Sequence, residues 1–266
     1  MSSPDDHFLD RFRHAYYQTG KNTIGGQLAL GRCAVSIANE FSSDFPNFSV
    51  TDIAALTLES LLKAPEASQE DEYNPLKIAG VDILSAAAAN DIPIFIWTVG
   101  DTGKYVDATN DIDDPAFEYQ RRKIELSKIQ EKVARRIGNS DYEFHINPSA
   151  ESKESSLYDI FNQATIRKAT QIFVADDLPS NEELVRNVAR DFPELEIQFW
   201  LIKGDEDTAG NLAAFRDFVV PQLQQGDRTH RSFLVMDWDE TLFNTQASLN
   251  RAAQLMSRKI HSRALT

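Results

Sequence analysis

The chain has 266 residues, 42% hydrophobic and 10% aromatic, enough for one large domain or for a packed core plus a helical lobe. Its 27 basic and 41 acidic side chains leave a formal charge of −14, which disfavours bulk nucleic acid and anionic membrane as partners, since both need basic patches. A single cysteine, Cys33, excludes an intrachain disulfide and points to a reducing compartment.

The stretch Met1 to Asp10 is polar and acidic, without the apolar centre of a signal peptide. No apolar run reaches the roughly 18 residues of a spanning helix. A cytoplasmic protein is expected; secretion without a cleaved signal stays open.

Residues 5–63 read as helices. Phe8, Phe12 and Ala15/Tyr16 fall at helical spacing, as do Leu28, Cys33/Ala34, Ile37 and Phe41. Ile53, Leu56, Leu58, Leu61 and Leu62 mark a third helix, with Thr51 and Asp52 available at its start. Cys33 reads as core. Phe8, Phe12, Tyr16 and Tyr17 read as packing rather than a partner surface. Gly25-Gly26 followed by Gly31 lacks a preceding strand and a phosphate-loop lysine, so a turn before a helix is expected. Ala64 to Asn74, with Pro65 and four acidic residues, reads as a linker. A helix from about Leu76 to Ala89 follows.

The pattern then changes. Ile92 to Thr98 is a near-continuous apolar run that suits a central parallel strand, with Pro93 at its start, where a missing N–H is tolerated. A long helix is expected over about Pro115 to Ile137, with Arg121-Arg122-Lys123 and Arg135-Arg136 on a solvated face. Strands are then expected at Tyr142–Ile146, Gln171–Asp177, Glu196–Ile202 and Ser232–Met236. Helices are expected at Ser155–Ala164, Asn181–Asp191, Ala209–Gln224 and Thr245–Ile260. Alternating strands and helices imply an α/β fold with a doubly wound parallel sheet. The expected division is a helical lobe over 1–75, joined by 245–266, and a core over 76–244.

Four polar features fall at or just after expected strand ends: Asp237/Asp239, Thr98, Lys153 and Asp176/Asp177. In open α/β sheets, ligands bind at the carboxyl ends of the strands. Buried carboxylates there need a cation or hydrogen bonds to offset desolvation. The scattered histidines form no zinc-protease pair, and no nucleophile-elbow motif supports serine catalysis.

The string Asp237-Trp238-Asp239-Glu240-Thr241-Leu242 resembles motif I of the haloacid dehalogenase (HAD) superfamily, mostly magnesium-dependent phosphohydrolases. Ile94 to Thr98 is similar to motif II, an apolar strand ending in Thr or Ser. Lys153, leading into a helix, is similar to motif III, although Glu154 stands where relatives often have proline; Lys168 is the substitute. Ile172 to Asp177 is similar to motif IV with its acidic pair. Glu240 resembles the subgroup that includes phosphatases acting on an RNA polymerase tail.

This resemblance implies a role for each residue. Asp237 attacks phosphorus and forms an aspartyl-phosphate, splitting one displacement into two. Asp239 protonates the leaving oxygen and later deprotonates water. Asp237, the Asp239 carbonyl, Asp176 and Asp177 supply oxygen ligands for Mg²⁺. Thr98 and the neighbouring Val99 N–H hold the phosphoryl oxygens, and Lys153 neutralises developing charge. The motif order here is II, III, IV, I rather than I to IV, which implies a circular permutation. The sheet should then run in the family's strand order 5-4-1-2-3, with the motif I strand central. The expected activity is Mg²⁺-dependent phosphoester hydrolysis of a phosphorylated small molecule, with phosphomutase chemistry open on the same residues. The alternatives are a phosphoprotein phosphatase and a silent HAD-fold binding or regulatory protein, for which the helical lobe is a docking surface rather than a cap. Substrate and oligomeric state are not legible.

Overall fold

The computed structural model describes residues 4–22, 30–66, 74, 76–99, 104–106, 111–113, 123–129, 131–133, 142–147, 150–202, 208–224, 231–239 and 241–264. They fall into two compact units. One combines Met1–Ser68, Gly100–Leu126 and Thr245–Thr266, the other Gln69–Val99 and Ser127–Asn244.

In the first unit, α1 (Pro4–Asn22), α2 (Leu30–Phe41), α3 (Val50–Lys63) and α8 (Thr245–Ala264) bury one common apolar cluster. Phe12, Cys33, Ile37, Phe41 and Ile53 meet Ala252, Ala253, Met256 and Ile260 there. Each fully buried large aliphatic or aromatic side chain contributes roughly 1.5–3 kcal/mol. Cys33 is buried, as expected of a core position. Of the four aromatics, Phe12 and Tyr16 are buried, Phe8 packs against the cluster and Tyr17 is exposed. Helix α3 is capped by Ser49, not by Thr51 or Asp52: the Asp52 N–H donates to Ser49 Oγ, and the Ser49 N–H donates to the Asp52 carboxylate. This is the reciprocal capping box. Leu28 and Gly25-Gly26 lie outside the described residues.

The second unit is built on a five-stranded, all-parallel sheet. Its strands are β1 (Ile94–Val99), β4 (Tyr142–Asn147), β5 (Gln171–Asp176), β6 (Glu196–Leu201) and β7 (Ser232–Met236). They lie side by side in the order β4-β1-β7-β5-β6. The strand leading to Asp237 is therefore central, with β1 and β4 on one side and β5 and β6 on the other. All five residues of β7 are buried, as a parallel strand covered on both faces requires. Between β1 and β4 the chain forms a two-stranded antiparallel ribbon, β2 (Lys104–Val106) with β3 (Asp111–Asp113), which the sequence did not signal.

The strand alternation assigns the two faces of the sheet. Phe95 and Trp97, Ile172 and Val174, and Phe233 and Val235 share one cluster with α5 (Ala150–Ile166) and α6 (Pro179–Ala189). The intervening residues face α4 (Ile78–Ala89) and α7 (Thr208–Gln224), where Phe173 meets Phe218 edge-on at 6.3 Å. Helix α4 approaches the loop after β7 closely. A Cβ added at Gly80 lies 2.7 Å from Leu242 Cδ2, and the Lys77 N–H donates to the Leu242 carbonyl at 3.0 Å.

Several boundaries differ from expectation. Helix α5 begins at Ala150, so Lys153 stands inside its first turns rather than ahead of it. The expected long helix over Pro115 to Ile137 is broken. Helical turns at 123–126 and 131–133 flank a turn where Lys128 has φ 55°. Lys123 is buried, not on a solvated face; Arg121, Arg122, Arg135 and Arg136 lie outside the described residues. Helix α6 starts with Pro179, whose absent N–H is no loss there, and its cap position, Leu178, gives no side-chain bond. Among the described residues no helix is long and apolar enough to cross a membrane.

Candidate active site

The register brings three strand ends into one row. Met236 pairs with Ile96 and with Ala175, so the next residues, Trp97, Asp237 and Asp176, stand side by side at the carboxyl edge. Alternation turns all three toward α5. Lys153 reaches them from that helix. Its Nζ donates to Asp176 Oδ2 at 3.0 Å and to Asp237 Oδ1 at 3.1 Å. Lys153, Asp176 and Asp237 are 3%, 0% and 5% exposed, so this ion triad is essentially dry.

Trp97 sets the position of the lysine. The ammonium sits 4.0 Å from the indole centroid, a favourable cation–π contact. Indole Nε1 donates to the Lys153 carbonyl at 3.1 Å and to Ser156 Oγ at 2.9 Å. The sequence shows Trp97 only as one more apolar residue of a strand; its neighbour Thr98 drew the attention. Asp176 is held as firmly. Its Oδ1 accepts the Leu178 N–H at 2.8 Å, and its Oδ2 also accepts from Asn181 Nδ2 at 2.8 Å. Asn181, inside the first turn of α6, thus serves the acidic strand end.

The electrostatics follow from burial. Burial alone would lower the Lys153 pKa, but Asp237 and Asp176 outweigh it and hold the lysine above its ordinary value, so it stays charged. Asp237 is pushed well above the usual carboxylate range, first by desolvation and then by Asp176, Asp177 and Asp239, with Lys153 opposing. Asp177, half-buried, is raised to about 7 by desolvation and then by Asp176, with Asp239 adding to it. Four carboxylates therefore share a site in which Lys153 supplies the compensating charge, and the deficit appears as protons retained on acids.

The remaining residues are placed as follows. Asp239 is half-buried, bridges to Phe243 and is near enough to raise both Asp237 and Asp177. Thr98 is 2% exposed at the same sheet edge, but it follows Trp97, so alternation turns it toward the α4 face, away from Lys153. Val99 ends β1; its side chain lies outside the described residues, as does Glu240. Lys168 is exposed in the turn before β5, at the end of the strand remote from Asp176, with φ 55°; of the two lysines, Lys153 joins the acids. Trp238 and Thr241 are fully buried, and Trp238 Nε1 and Thr241 Oγ1 have no hydrogen-bond partner among the described residues.

The donors that could take a metal are all oxygens, from Asp237, Asp176, Asp177 and Asp239. Among the described residues no group of three or more His, Cys, Asp or Glu is close enough to form a protein-only cage. Oxygen donors with excess negative charge suit a hard cation such as Mg²⁺, which keeps several waters and takes few protein ligands.

No family model matches the chain, and no solved structure matches it. Among curated proteins, the chain is similar to the sodium/potassium-transporting ATPase subunit alpha-4 of Homo sapiens, 27% identical over 141 residues. That stretch is 51% of this chain and 13% of the ATPase subunit, so the chain spans a small part of that protein's length.

Proposed function

We propose that this chain is a Mg²⁺-dependent phosphoester hydrolase, built on a circularly permuted HAD-like core and working through an aspartyl-phosphate on Asp237. The observation that carries the reading is the buried triad of Lys153 with Asp237 and Asp176, at the carboxyl end of the central strand. The central place of β7 supports the permutation, because the motif order II, III, IV, I then yields an ordinary HAD strand order. Similarity to a protein named as an ATPase supports phosphoryl transfer in general terms, since ATP hydrolysis moves a phosphoryl group to water.

In this reading an oxygen of Asp237 attacks phosphorus, and the ester oxygen leaves with its bonding electrons. Asp239 gives that oxygen a proton, then takes one from the water that cleaves the acyl phosphate. Lys153 remains charged and balances the transferring group. Trp97 keeps the ammonium from swinging away. Thr98 and the Val99 N–H offer donors to phosphoryl oxygens from the adjacent strand end. Asp176, Asp177, Asp237 and the Asp239 carbonyl would hold Mg²⁺, which when bound offsets the repulsion between carboxylate and phosphate. The raised pKa values of Asp237 and Asp177 support that need for added positive charge.

A second reading is a silent binding protein, favoured by one feature: Lys153 already spans both carboxylates and is itself a resident cation. Hydrolysis of para-nitrophenyl phosphate separates the two. Turnover that requires Mg²⁺, stops with chelator and is lost in folded Asp237→Asn supports the hydrolase. Absence of turnover toward this and a panel of phosphometabolites and phosphopeptides would favour the binding protein.

A further inference from the structure

Lysines in a chain of net charge −14 would be expected to pair with acids. Among the described residues, Lys128 and Lys132, in the second unit, do not. Lys132 Nζ donates to a neutral acceptor, Asn74 Oδ1, at 2.6 Å, and among the described residues neither lysine is ion-paired. Burial, and then Lys128, push the Lys132 pKa down, and among the described residues no acid offsets them. Lys128 also adopts φ 55°, unusual for a residue with a side chain. The Lys132 N–H donates to the Lys128 carbonyl at 2.9 Å, so the two side chains stand one turn apart, where like charges repel.

Their placement ties them to the catalytic loop. Asn74 Oδ1 also accepts the Leu76 N–H at 3.1 Å. Leu76 bridges Phe243, and Phe243 bridges Asp239. The Phe243 N–H donates to the Trp238 carbonyl at 2.8 Å. A short chain of contacts thus leads from the lysine pair to the loop bearing the acid/base residue. A half-buried lysine on a neutral anchor, with an exposed like charge one turn away, is unfavourable alone and becomes favourable once an anion joins it.

We infer that Lys128 and Lys132 form an anion subsite beside the catalytic loop, and that the substrate is a phosphoester carrying a second anionic group, a carboxylate or another phosphate. This rests on the hydrolase reading. The pair takes no part in the chemistry; it selects and positions.

The test compares phenyl phosphate with carboxyphenyl phosphate in Mg²⁺, for wild type, Lys132→Gln and Lys128→Gln. Glutamine keeps a donor for Asn74, and melting temperatures check folding. The expected result is a loss of about tenfold in kcat/KM for the carboxylated ester, through KM, with phenyl phosphate unchanged; that is the worth of one charge-assisted hydrogen bond. Equal losses for both esters, or none, overturn the subsite. If neither ester turns over, acylation of Lys132 followed by peptide mass mapping decides. Protection by carboxyphenyl phosphate alone upholds the subsite while the hydrolase reading falls. Protection by both alike, or by neither, overturns it.

Discussion

Asp177 offers the sharpest quantitative prediction. Its pKa rises from 3.8 to about 7 on folding, so the folded protein holds a proton that the unfolded chain has released. Below pH 3.8 the group is neutral in both states and costs nothing. As pH rises from there to about 7, stability is lost; above about 7 the loss is complete. The rise is about three pH units, and at about 1.36 kcal/mol each the full cost is about 4 kcal/mol. Asp177 is partly open to solvent, and discounting by half for screening leaves about 2 kcal/mol. Asp177→Asn removes the charge and keeps the shape. In chelator, urea unfolding should show the variant gaining on wild type as pH rises from about 5 to about 8, by one to two kcal/mol across that window. Stability curves that run parallel over that range would refute the reasoning, because the gain would then owe nothing to ionisation.

Other perturbations follow from the same geometry. Lys153→Met leaves Asp237 and Asp176 buried without their cation and should cost about 3–5 kcal/mol in urea unfolding; adding Asp237→Asn should recover part of it, and strict additivity of the two changes would contradict the triad. Mg²⁺ should bind with release of protons near pH 7, since Asp177 and Asp237 must ionise to accept it. Calorimetry in buffers of different ionisation enthalpy reads this directly, and binding heats independent of buffer would contradict it. Gly80→Val forces a side chain onto Leu242, whose Cδ2 lies 2.7 Å from the Cβ position; about 1–3 kcal/mol of destabilisation is expected, together with a drop in kcat, because Leu242 closes the loop of Asp239.

The sheet was legible because a parallel central strand must be apolar throughout, and Phe233 to Met236, Ile94 to Trp97 and Ile172 to Ala175 satisfy that without ambiguity. Chain order supplied the rest: an acidic pair at the end of one strand and a spaced pair at another can meet only if those strands are neighbours. Local detail was less visible. Lys104–Val106 and Asp111–Asp113 are too short and too polar for a period-two signal, and pairing alone defines them. Lys128 interrupts a helical pattern with a backbone conformation that no residue type announced. Trp97 carried no mark of its role, since an indole in an apolar run reads as core until a lysine is found against its face. Asn181 carried no mark of its role either, since an asparagine at a helix start reads as local until its amide is found donating to the buried Asp176 carboxylate.

The most direct test of the central claim is to quench the enzyme during turnover of a phosphoester with Mg²⁺, reduce it with borohydride and map the peptides. An acyl phosphate at Asp237 is reduced to homoserine, so homoserine at position 237, absent in chelator and absent without substrate, is the predicted result. Sustained turnover with no homoserine at 237, or with homoserine at Asp239 or Asp176 instead, would contradict the account.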